Sequence, residues 1–275
     1  MELARRNLSR CKGLLLDLNG VFYVDDTPIP GGREAIEGLR ERGLPCRFTT
    51  NTTTSSLDSL HRKLNALDLP IQKNEIFTPA QAAVVYLRRE FGEDPALHLL
   101  LDEDTKQDFA GFRQDHTNPD AIVIGDIGDR WNYQIMQRLF EMVTTFGARI
   151  IALHKGRYWQ AGATPRENEA AANPGLRLDI GAFIAGLEYA TGKDAIVIGK
   201  PEPSFFDMAR AELNIPAASL VMMGDDIESD VGGAQRAGLK GILVKTGKYR
   251  PELVARSQVR PDGVLESIAD LAGLL

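Results

Sequence analysis

Four short stretches of this chain carry residues of the right type and order to move a phosphoryl group. Leu14–Leu16 is an apolar run of the kind that makes a strand buried on both faces, and it stops at Asp17, with Asn19 and Gly20 just beyond. Open α/β sheets bind ligands at the carboxyl ends of their strands. An aspartate there is a candidate nucleophile, since carboxylates form covalent phosphoryl intermediates. Taken alone, the string fits equally an aspartate that caps the next turn. Phe48–Ser56 then places Thr50 and Asn51 after a second apolar stretch, Ile198–Phe206 places Lys200 before Pro201, and Val221–Val231 places Asp225, Asp226 and Asp230 after a third.

In chain order this set resembles the four motifs of haloacid dehalogenase (HAD) superfamily phosphatases, over about residues 12–251. The strings LDLNGVFY, TNTTTSS, VIGKPEPSFF and GDDIESDVGGAQRAG resemble more narrowly the NagD-like subfamily IIA. Within it they resemble the branch of phospholysine/phosphohistidine phosphatases. The resemblance implies an α/β fold with a Rossmann-like parallel-sheet core and an inserted α/β (C2-type) cap. The core would take residues 1–80 and 180–275, and the cap 81–179.

It also implies roles. Asp17 would attack phosphorus in line. The Thr50 hydroxyl and the backbone N–H groups around Asn19, Gly20 and Asn51 would hold phosphoryl oxygens. Lys200 would neutralise both the carboxylate and the transferred group. One Mg²⁺ would sit on Asp17, Asp225 and the carbonyl of Asn19, with Asp226 behind them; few carboxylates, substrate oxygens and retained water suit that ion. Asp230 reads either as orienting a metal-bound water or Lys200, or as a plain helix N-cap.

One position departs from the family pattern. Most family phosphatases have a second Asp where this chain has Asn19. An amide donates a hydrogen bond but exchanges no proton at neutral pH. Loss of a positioned acid/base typically costs ~10²–10⁴-fold in rate. The phospholysine/phosphohistidine branch also departs from Asp here, so catalysis is expected, with alkyl phosphates disfavoured.

The elements that must position these residues alternate strand and helix, which implies parallel sheets. Val21–Val24 and the turn at Asp25–Pro28 read as a flap hairpin. Helices are expected from Gly31, over Leu57–Leu67, after the capping signature Thr78-Pro79-Ala80-Gln81, and over Thr105–Phe112 and Trp131–Phe146. Gln160–Pro174 reads as a long loop, after which helix Gly181–Ala190 and strand Ala195–Ile198 are expected to return to the core. In the cap, Lys155 and Arg157 of His154–Tyr158 are candidate cations for the substrate, with solvated side chains as the alternative. Gly181 is read as a close approach to substrate or as a helix start. Asp126 and Asp102–Asp104 read as turns, and Gly241–Tyr249 as a strand-end loop whose spacing is wrong for a phosphate loop.

Composition narrows the partners. A net charge of −6 with interleaved signs argues against nucleic acid, and no apolar run approaches a membrane span. Two cysteines, Cys11 and Cys46, cannot frame a disulfide fold and point to the cytoplasm. The expected partner is a small phosphorylated substrate, and the resemblance adds a homodimer through the caps. A catalytically impaired phosphometabolite sensor and a phosphotransferase to an acceptor alcohol are the alternatives.

Overall fold

Gly13–Asp17 is buried along its whole length in the computed structural model, which describes residues 1–160, 176–211 and 213–274. Its apolar side chains have no polar face to offer, so it takes the centre of a sheet. The strand order is Gly263–Leu265, Lys240–Val244, Leu220–Gly224, Gly13–Asp17, Cys46–Thr49, Ile76–Phe77, and every pairing is parallel. Parallel strands aim all their carboxyl ends one way. The register sets Leu16 beside Met223 and Asp17 beside Thr49, so Asp17, Thr50 and Asp225 leave the same edge. Phe22, Phe48, Leu60, Ile36 and Ile242 are among the residues that seal this core. The flap forms as Tyr23–Val24 against Thr27–Pro28, with Asp25 in the left-handed region (φ 52°).

The chain divides into two compact units: Met1–Thr52, Leu57–Ala82 and Lys200–Leu275, and Thr53–Ser56 with Ala83–Gly199. The second has its own parallel sheet in the order Ile196–Val197, Arg149–Ala152, Ala121–Ile124, Ala96–Leu100, Arg113–Gln114. The boundary therefore falls after Gly199, not at 179/180 as the sequence suggested. Ile180, Ile184 and Leu187 bury among Ile122, Ile124 and Ile150, and Ile196–Val197 pairs with Arg149–Ala152. Amphipathic periodicity shows that such a helix has a buried face but not which core receives it.

Three local expectations also shift. Thr105–Phe109 is a short 3₁₀ segment rather than a longer helix, tied down by Thr105 Oγ1 donating to Thr53 O at 2.8 Å. Asp104 is no solvated turn residue, since it accepts from Ser56 N at 2.7 Å. The helix expected at Asp230 begins earlier, as a π-helical segment over Ile227–Gly232 that runs into Gly233–Arg236. The cap at Thr78 forms reciprocally, Gln81 N donating to Thr78 Oγ1 and Thr78 N to Gln81 Oε1, both at 3.2 Å. The loop expected over 160–174 lies, from 161 onward, outside the described residues. Among the described residues no helix is long and apolar enough to cross a membrane. Cys46 is a buried free thiol, its pKa pushed up to about 12 mainly by that burial.

A buried histidine gives the second unit an acid-sensitive spot. His98 Nδ1 lies 3.1 Å from Nδ1 of exposed His116. Burial first, then the charges of His116, Arg138 and Lys106, lower the His98 pKa from 6.5 to about 4. The unfolded chain thus takes up this proton at higher pH than the folded chain does. Stability is full above the unfolded value and is lost as pH falls from 6.5 to about 4, by up to ~3 kcal/mol. Urea midpoints measured across that window should fall more steeply for the native protein than for His98→Gln. Parallel slopes would refute this origin.

Candidate active site

Three carboxylates meet at the edge of the first unit. Oxygens of Asp17, Asp225 and Asp230 all lie within 4.8 Å of one another, and the residues are 6%, 3% and 1% exposed. Lys200, 3% exposed, is set among them, with Nζ 2.5 Å from Asp17 Oδ1 and 2.6 Å from Asp230 Oδ1. Asp17 ends its strand, and Asp225 directly follows Leu220–Gly224. Asp230 is brought back by the π-helical turn, whose wider winding returns its side chain past Gly224. A Cβ at Gly224 would run into that carboxylate, so only glycine fits there.

Burial raises the cost of charge on every member. Asp17 is raised to about 7, first by burial and further by Asp230, with Lys200 pulling the other way. Asp225 is raised well above the usual carboxylate range by burial, then by Asp17 and Asp230. Lys200 moves up despite its burial, because Asp17 and Asp230 outweigh that penalty. One ammonium among three buried carboxylates leaves room for a further cation, and an all-oxygen donor set suits a hard one.

Several side chains hold this frame. Asn51 clamps the Lys200 backbone, donating from Nδ2 to its carbonyl at 2.8 Å and accepting from its N–H at 2.9 Å. Asn51 was expected to offer its backbone to phosphate; the structure adds that its side chain positions the lysine. Thr50 is buried, and its hydroxyl is 2.9 Å from Thr52 Oγ1 and accepts from Thr52 N at 3.0 Å. Gly20 sits at φ 93°, where a Cβ would strike the Asp225 carboxylate. Asn19, by contrast, is exposed and bridges Tyr23.

Asp230 is no N-cap. Asp226 is, with its Oδ1 accepting from Glu228 N and Ser229 N, both at 2.9 Å, while its own N–H donates to Asp230 Oδ2 at 3.1 Å. The strand-end loop also proves to be part of the frame. Thr246 Oγ1 donates to Gly20 O at 2.5 Å, and Lys248 N donates to Asp225 Oδ2 at 2.6 Å. Its only sequence signal is a Thr-Gly-Lys string after a strand in a sheet whose other strand ends carry the site. In the second unit, Lys155 is committed to Glu188 at 2.5 Å and Arg157 is exposed. Gly181 serves a backbone contact, its N–H donating to Gly156 O at 2.9 Å, with no room for a Cβ against that carbonyl.

Residues 14–112 match the haloacid dehalogenase-like hydrolase family, and residues 197–271 an HAD-hydrolase-like family. The chain is 37% identical over 273 residues to phospholysine phosphohistidine inorganic pyrophosphate phosphatase of Rattus norvegicus, covering 98% of this chain and 95% of that one. The chain belongs to the haloacid dehalogenase family. It is also 40% identical over 241 residues to haloacid dehalogenase-like hydrolase domain-containing protein 2 of Bos taurus, covering 87% and 86%. Among HAD structures, 4-nitrophenylphosphatase of Thermotoga maritima matches with a TM-score of 0.85 at 27% identity, covering 97% of this chain and 98% of that one. NagD of E. coli shares the fold, with a TM-score of 0.80 at 24% identity over 94% and 98% of the two chains. This HAD member is an HAD-type phosphatase.

Proposed function

We propose that this HAD phosphatase is Mg²⁺-dependent and carries the phosphoryl group on Asp17. Its preferred substrates are those whose leaving groups depart without a proton donor: phosphoramidates, aryl and acyl phosphates, and pyrophosphate. The supporting observation is the buried constellation of Asp17, Lys200, Asp225 and Asp230. Asp17, Asp225 and the carbonyl of Asn19 would hold the ion, with Asp230, whose carboxylate oxygen lies within 4.8 Å of those of Asp17 and Asp225, joining or backing them. Bound Mg²⁺ would supply charge neutralisation on the transferred group.

The chain's own residues account for the rest. An Asp17 oxygen attacks phosphorus, forming a P–O bond as the bond to the leaving group breaks and takes its electron pair away. Lys200 stays beside both carboxylate and phosphoryl group, the positioning and charge cover that phosphoryl transfer needs most. Thr50 and the backbone N–H groups near Gly20 and Asn51 bind phosphoryl oxygens. Water then attacks phosphorus, releasing phosphate and restoring the carboxylate. Asn19 protonates nothing in the first step and deprotonates no water in the second. Alkoxide leaving groups, strongly basic, suffer most. The relative named for phospholysine, phosphohistidine and pyrophosphate fits a preference for the other classes.

The test is a leaving-group series with Mg²⁺ and with excess chelator. Aryl phosphate and pyrophosphate should turn over and alkyl phosphates lag, with chelation silencing all reversibly. Asn19→Asp should help alkyl phosphates most, by up to ~10²-fold. A flat series in single-turnover phosphorylation, or an equal gain on every substrate, would sink the leaving-group argument. Full activity in chelator would sink the metal.

A further inference from the structure

The loop 245–249, between strand Lys240–Val244 and helix Pro251–Arg256, is built against the acid cluster. Thr246 holds Gly20, and Tyr249 N donates back to Thr246 O at 3.1 Å. Gly247 stands at φ 55°, where a Cβ would meet both the Asp225 carboxylate and Gly20 Cα. Lys248 N donates to Asp225 Oδ2 at 2.6 Å. Three hydrogen bonds therefore hold this loop beside the site, one of them from the N–H of Lys248, and Lys248 is exposed.

The two lysines at this site differ in what they can reach. Lys200 is buried, with its ammonium spent on Asp17 and Asp230 inside the cluster. Lys248 is at the solvent side. Its ammonium is charged at neutral pH, and Asp226, Asp225, Asp17 and Asp230 are the carboxylates that act on it. When ionised, those four carboxylates against two ammoniums leave two negative charges, which one divalent cation cancels. A divalent cation held by those oxygens would leave exposed Lys248 as the positive group at the mouth of a neutral site.

We infer that Lys248 is a specificity residue that pairs with negative charge on the leaving-group side of the substrate, above all the second phosphoryl group of pyrophosphate. This rests on the phosphatase reading above. Lys200 and the metal-binding carboxylates lie on the side of the transferred phosphoryl group, so a second phosphoryl would face solvent and the exposed ammonium. An ionic hydrogen bond to a phosphoryl oxygen is among the stronger polar contacts available there. An aryl group carries no charge in the bound substrate and offers Lys248 no such partner there.

The test compares Lys248→Met and Lys248→Arg with the native protein. Steady-state kcat/KM is measured on pyrophosphate and on p-nitrophenyl phosphate with Mg²⁺. Lys248→Met should lower both, because the site loses a positive charge, but the pyrophosphate-to-aryl ratio should fall about tenfold, chiefly through KM, and Lys248→Arg should restore most of it. The backbone bond from residue 248 to Asp225 survives either substitution, so a purely structural role would leave the ratio unmoved. An unmoved ratio overturns the inference. Calorimetric binding of methylenediphosphonate and of inorganic phosphate to the Mg²⁺-loaded protein reads the same selectivity without turnover. There Lys248→Met should weaken the diphosphonate about tenfold more than phosphate, and equal weakening overturns the inference. Native protein that binds both probes but hydrolyses neither substrate would defeat the phosphatase reading alone.

Discussion

Asp17→Asn is expected to abolish turnover while leaving the fold intact. The covalent route has no substitute nucleophile, and removal of a residue that forms the intermediate typically costs ~10⁴-fold or more in kcat. Stability should barely change. Burial holds the Asp17 carboxyl up to about 7, so its charge is already costly to keep at neutral pH. An asparagine of the same shape still offers Lys200 an amide oxygen, and the ammonium keeps Asp230 at 2.6 Å. Kinetics on an aryl phosphate together with urea unfolding separates the two effects. Residual activity within ~10-fold of the native enzyme would remove Asp17 from the chemistry.

The second large effect is Lys200→Met, and it falls on stability as well as rate. Lys200 is the only cation bonded to two of the three buried carboxylates among the described residues. Removing one partner of a buried ion pair leaves an uncompensated charge, at a typical cost of about 3–5 kcal/mol. That is a large share of the stability of an ordinary domain, about 5–15 kcal/mol. The rate should fall by roughly 10²–10³-fold as well, the loss seen when one preorganised positive or hydrogen-bonding group is taken from a developing charge. Mg²⁺ binds the folded site and not the unfolded chain, so it should return part of the lost stability. Urea midpoints of Lys200→Met with and without Mg²⁺ measure this. An unchanged midpoint without metal would show that the carboxylates do not depend on the lysine.

Asp17, Lys200 and Asp225 were legible because each sits at a chain feature that local sequence reports: an apolar run that ends, a Lys-Pro turn, a Gly-Asp pair after a strand. The sheets were legible from the alternation of the same signals. Asp230 was ambiguous because the π-helical turn shifts the helix start to Ile227, and no residue pattern reports that extra winding. Asn51 and the loop 245–249 act through bonds spanning 149 and more than 220 positions, beyond any local pattern. Lys155 reads as a free cation in the sequence because its partner Glu188 lies 33 residues away on the helix Gly181–Thr191. Residues 180–199 are misplaced by sequence for the same reason: the helix announces a buried stripe, and the pairing of Ile196–Val197 with Arg149–Ala152 says where it docks.

The central claim is that the phosphoryl group passes through Asp17, and the most direct measurement is to catch it there. Enzyme, Mg²⁺ and an aryl phosphate are mixed, quenched in acid during turnover, digested and weighed by mass spectrometry. With Asn19 unable to activate water, hydrolysis of the intermediate should be slow and the adduct should accumulate. The account predicts one phosphoryl group on the peptide bearing Asp17, discharged on chase and absent in Asp17→Asn. Steady turnover with that peptide unmodified, or a phosphoryl group found on a different residue, would contradict it.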